Sequence, residues 1–205
     1  MELHEALGQI SVIRRQMARG EVFRGYRALS VAASGVTALV AAALQPFFIT
    51  DPTNQLGIYL AWWIVIAAIG ATLAGVEMIW RSLQSPSAFH RQMTLLATEQ
   101  FLPCLLVGGL LTACLARSAP ETAWMLPGLW SLIFSLGVFA SFRVLPREIF
   151  FVGVYYAACG GIHLFAGDGP HALAPWRMAL SFGGGQLLAA IILYWKLERK
   201  NVIQP

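Results

Sequence analysis

Apolar residues fill six stretches of this chain almost without charge, and short polar links separate them. The stretches run over about 28–49, 56–80, 97–116, 123–142, 149–166 and 178–195. A bilayer core roughly 30 Å thick takes about 20 apolar helical residues to cross. The third stretch is short if it starts at Phe101, and it reaches normal length when 95–100 continue the helix. Helices satisfy their own backbone groups in lipid, and the two-residue alternation of a membrane barrel strand is absent. Links such as 50–55, 117–121, 143–148 and 167–177 are short, so consecutive helices should be antiparallel neighbours. The pattern predicts an all-α, polytopic integral membrane protein. It would be a six-transmembrane-helix bundle over 28–200, with a cytoplasmic segment 1–27 before it and a cytoplasmic tail 201–205 after it.

The segment 2–20 has a different period. Leu3, Leu7, Ile10, Ile13 and Met17 recur at three- and four-residue steps and form one apolar helical stripe. Glu2 and Glu5 open it and Arg14, Arg15 and Arg19 close it, an order that complements the helix dipole. This amphipathic helix could lie on the membrane surface, or it could pair with a protein partner or a second copy of the chain. The first apolar stretch begins only after 27 residues and outlasts a signal-peptide core, so it reads as a retained span.

Composition agrees with the pattern. Of 205 residues, 58% are hydrophobic and 12% charged, with a mean hydropathy of +0.65. A soluble domain carries about a quarter charged residues. The formal net charge of +4 reads as topology rather than nucleic-acid binding, for which no basic module is present. Twelve of the fourteen Lys and Arg residues fall on one side of the six stretches, leaving only Arg117 and Arg177 on the other. The positive-inside rule then places both termini in the cytoplasm of a multi-pass cell-membrane protein. Cys104, Cys114 and Cys159 all lie in apolar stretches and read as buried thiols rather than a disulfide framework.

Ionisable and polar groups at membrane depth are the candidates for function. Glu77 stands one turn before Arg81, where it reads as half of an interfacial pair or as a proton or cation site. Glu99 opens the third stretch and shares that ambiguity. His163 follows Cys159 by one helical turn, so it is a candidate ligand or titratable switch, although a hydrogen-bonded packing histidine is the plainer reading. Arg177 lies at the mouth of the last stretch and could pair with Asp168 or Asp51 at the rim, or bind an anionic headgroup or solute. Gly183, Gly184 and Gly185 precede Gln186. Together with Gly160 and Gly161, and with Gly108 and Gly109, they suggest a tight central helix contact, with Gln186 hydrogen-bonding across it. The competing reading is a locally unwound transport site. Gln45 and Pro46 could line a cavity near the outer side.

No phosphate-binding Gly-Lys-Ser/Thr loop, zinc-helix motif or Gly-x-Ser-x-Gly elbow occurs. The sequence thus leads to the expectation of a non-enzymatic membrane module without cofactor or metal: an accessory, sensory or scaffold subunit. The alternative is a small-solute or ion transporter using Glu77, Glu99, Gln186 and Arg177.

Overall fold

The computed structural model describes residues 28–84, 88–141 and 145–198, with side chains described there apart from 78, 81–98 and 197–198. The amphipathic segment 2–20 and the tail 201–205 lie outside the described residues.

Among the described residues all regular structure is helical and no strand forms. Helix α1 is Ala28–Phe48, α2 is Leu56–Gln84 and α3 is Ala88–Ser118. A 3-10 turn, Pro120–Met125, leads into α4, Leu126–Ser141, and α5 is Ile149–Phe165. The last helix, α6, begins as Pro175–Met178 and widens into a π-helical stretch, Ala179–Gly184. It resumes as Gly185–Leu193 and ends in a second π stretch, Tyr194–Glu198.

Among the described residues five helices are long and apolar enough to cross a membrane: Ala28–Phe48, Leu56–Glu77, Glu99–Ser118, Pro120–Ser141 and Pro175–Lys196. The fifth expected stretch, 149–166, forms a helix of 17 residues and is shorter than these. It stops at Gly167, whose φ of +70° an L side chain rarely adopts. The third expected stretch is the apolar part of a longer helix that starts at Ala88. The last one starts earlier than 178, because Pro175 suits a first helical turn, where its missing N–H goes unused.

The connections 49–55, 119–125 and 166–174 meet at one end of the bundle, here called the hairpin end. Ile49, Tyr59, Trp63, Ala123, Leu126, Leu173 and Met178 pack there in one cluster. Ala28, Val31, Val138, Ile149, Val152, Tyr156, Ala190 and Leu193 form a second cluster toward the opposite end. Small residues set the helix spacing, as they do where backbones must approach closely. Gly128 of α4 and Gly160 of α5 cross so tightly that a β-carbon on either would press on the other's carbonyl oxygen. On α1, Ala28, Val31, Gly35, Ala38, Ala41, Ala42 and Gln45 form the buried face.

Burial is uneven. Only 6% of the apolar part of α3 is buried, against 44% of the span containing α4. Leu102, Leu105, Leu106, Val107 and Leu110 of α3 are exposed, as are Ile64, Val65, Ile69, Leu73 and Val76 of α2. Such a surface suits contact with lipid, where apolar exposure carries no penalty.

Candidate functional site

The polar residues gather in two buried groups at the hairpin end, both between helices. The first is centred on Gln45, which is 1% exposed. Its amide nitrogen donates to the Leu173 carbonyl at 3.1 Å, and its amide oxygen accepts from the Trp63 indole N–H at 3.1 Å. One side chain near the end of α1 thereby joins α2 to the 166–174 connection. A glutamine in an otherwise apolar span is stable there because both ends of its amide are satisfied.

The second group lies where α5 and α6 meet. Arg177 is 4% exposed and donates from Nη1 to the His163 carbonyl at 3.2 Å. Its guanidinium also lies 5.6 Å from the centre of the Trp176 ring, within cation–π range. The His163 ring, 1% exposed, packs edge-on to Trp176 with centroids 6.0 Å apart. Tyr59 is fully buried, in the same cluster as Met178, the residue that follows Arg177. Among the described residues several polar atoms in this group have no hydrogen-bond partner: Arg177 Nε, both His163 ring nitrogens and the Tyr59 hydroxyl. Ser181 and Tyr156, deeper along the α5–α6 contact, add two more unpartnered buried hydroxyls.

A cleft of about 210 Å³ opens beside the first group. Gln45, Pro46, Ile49, His171, Leu173 and Pro175 are among its walls.

Several expectations are corrected here. Arg177 does not form a rim ion pair with Asp168 or Asp51; among the described residues no carboxylate pairs with it. Asp51 instead closes its own turn, accepting from the Thr53 and Asn54 backbone N–H groups and from the Asn54 amide. The Asn54 bonds, the backbone one foremost, hold its carboxyl below the ordinary aspartate range. His163 is buried, as a packing histidine would be, but its ring is not hydrogen-bonded. Cys159 shares its buried helix face. Among the described residues no group of three or more His, Cys, Asp or Glu side chains gathers to hold a metal.

The single central glycine contact is replaced by separate ones. A β-carbon at Gly183 would strike Leu39 of α1, one at Gly184 the Tyr155 hydroxyl, and one at Gly185 the Tyr156 ring. The glycine triplet therefore lets α6 wedge between α1 and α5. Gly160 meets Gly128 instead, while Gly161 and Gly109 face open space. Gln186 makes no hydrogen bond across the contact among the described residues, and its β-carbon sits against Gly35. Glu99 is exposed and Glu77 half-buried, both on the side away from the hairpin end. The Arg81 side chain, the expected partner of Glu77, lies outside the described side chains.

The sequence pointed to His163, Arg177 and the Gln45-Pro46 step, but not to Tyr59, Trp63, Ser181 or Tyr156. Aromatic residues near span ends read as interfacial anchors, and nothing in their spacing shows which of them turn inward. No protein family, curated protein or solved structure matches the chain.

Proposed function

We propose that the protein is a non-catalytic, multi-pass module of the cell membrane that serves as an accessory, sensory or scaffold subunit. In this reading six helices span the membrane, both termini are cytoplasmic, and the amphipathic segment 2–20 engages a protein partner. The observation that supports it is the dispersal of the polar candidates. Arg177 is buried at the hairpin end, Gln186 packs against Gly35, and Glu99 is exposed toward the opposite end. The hairpin-end cleft touches none of Glu77, Glu99, Gln186 or Arg177. A transport route needs such groups to face a common space, so the alternative of a small-solute or ion transporter draws less support.

The test is purification of the protein from its native membrane, with and without residues 2–20. The full chain should co-purify with a partner or as a defined oligomer, and the truncated chain should lose that association while keeping its helical content. Identical association for both forms would defeat the reading.

A further inference from the structure

The second polar group contains an unusual combination for a membrane-spanning bundle. Arg177 brings a permanent positive charge into a site only 4% exposed, and it has no carboxylate partner among the described residues. An unpaired buried charge is strongly unfavourable, and native proteins rarely retain one without a partner. The carbonyl of His163 satisfies one guanidinium nitrogen but supplies no compensating charge. Among the described residues Nε remains without a partner, as do the Tyr59 hydroxyl and the His163 ring nitrogens. These groups come from three helices: Tyr59 from α2, His163 from α5 and Arg177 from α6. Each of the three side chains is more than nine-tenths buried.

We propose that Arg177, Tyr59 and His163 form a binding site for one small oxyanion, a carboxylate or phosphate group. Arg177 contributes charge and a planar donor edge matched to two oxygens of such a group. The Tyr59 hydroxyl donates to one oxygen, and a protonated His163 nitrogen can donate as well. Leu126, Leu173 and Met178 belong to the same buried cluster as Tyr59, so the surroundings are apolar and strengthen the charge–charge attraction. The hairpin-end cleft does not reach the three side chains, but its wall at Leu173 through Pro175 ends two residues before Arg177 in the chain, so an oxyanion would enter by displacement of that segment. Trp176, 51% exposed, stands at the surface beside the site and limits its size. The oxyanion can come from solution or from the headgroup of an anionic lipid lying at the rim. The site does not depend on the partner-module reading and stands if that reading fails.

The test uses the full chain in lipid nanodiscs made only of zwitterionic phospholipid. Sodium acetate and inorganic phosphate are titrated at constant ionic strength while the thermal midpoint and tryptophan fluorescence are followed. A parallel series replaces part of the lipid with anionic phosphatidylglycerol. Saturable stabilisation by acetate or phosphate identifies a soluble ligand, whereas stabilisation only by phosphatidylglycerol identifies a headgroup. Arg177→Gln should weaken either response at least tenfold, and Tyr59→Phe should weaken it severalfold. If Arg177→Gln does not fold, Tyr59→Phe and Arg177→Lys decide, the latter retaining charge but losing the two-oxygen geometry. No saturable response in the wild-type protein to any of the three probes overturns the proposal. So does a response that Tyr59→Phe and the Arg177 variant leave unchanged.

Discussion

The space that a single β-carbon would need at Gly185 is occupied by the Tyr156 ring, and Tyr156 is itself fully buried. The ring cannot retreat easily, since it packs against Phe134 with centroids 4.7 Å apart and against Phe182 at 5.7 Å. Gly161, on the neighbouring helix, faces open space. The two glycines look alike in the sequence, yet alanine should act on them in opposite ways. Gly185→Ala should destabilise the protein by about 1–3 kcal/mol through overpacking. Gly161→Ala should be neutral or stabilising by up to about 1 kcal/mol, because alanine favours the helix. Thermal unfolding of both variants in the same detergent checks this, and equal losses would contradict the packing described here. The glycine triplet was legible as a place of close approach. Its three separate neighbours were not, because glycine has no side chain whose polarity could mark the direction it faces. Arg177 shows the opposite limit: its charge placed it at a rim in the sequence, while the hydrogen bond to the His163 carbonyl holds it inside.

Helix α6 carries the main departure from ordinary helical periodicity. Two π-helical stretches, Ala179–Gly184 and Tyr194–Glu198, flank a regular segment, so buried positions cannot be projected along the whole helix with one 3.6-residue period. A π stretch frees carbonyls from the usual ladder, and such distortions concentrate where a helix has more than packing to do. Here the Tyr155 hydroxyl donates to the Leu180 carbonyl at 2.7 Å, while Arg177 and Ser181 enter the buried polar region on either side of it. At the far end, Lys196 and Glu148 form an ion pair that ties the end of α6 to the start of α5. Both partners are well exposed, so that pair adds little to stability. Tyr155→Phe keeps the ring and removes only the hydroxyl. It should cost about 1 kcal/mol, the usual net worth of one hydrogen bond. Hydrogen exchange should quicken across 180–185 while the amides of α1 keep their protection. Unchanged exchange in that stretch would mean that the hydroxyl does not hold the π geometry. The hydrophobic run of this helix could be read from the sequence. Its π stretches could not, because an apolar run reads the same in α- and π-helical geometry.

At the scale of the whole molecule, the apolar stretches translate into helices with shifted ends, and the shortest of the six expected spans is α5. Its 17 residues rise about 26 Å at 1.5 Å per residue, just short of a hydrocarbon core of about 30 Å. Its flanks offer help at both ends. The Pro146–Glu148 turn leads into its first residue, with Ile149 N–H donating to the Pro146 carbonyl at 2.9 Å. At the other end Ala166 N–H still reaches the Ile162 carbonyl at 2.9 Å before Gly167 turns the chain. Local thinning of the bilayer or tilt of the longer neighbours can absorb a mismatch of this size. The close α4–α5 crossing at Gly128 and Gly160 would also hold α5 at the same depth as a helix that is long enough. We therefore expect α5 to cross. The check is a cysteine-free background carrying one new cysteine at a time, labelled in sealed vesicles with a membrane-impermeant maleimide. Asp168→Cys and Thr53→Cys should label from one side, and Arg147→Cys should be protected from that side until the vesicles are opened. If Arg147→Cys and Asp168→Cys label from the same side, α5 does not span, the two termini fall on opposite faces, and the assignment of twelve basic residues to one side fails with it.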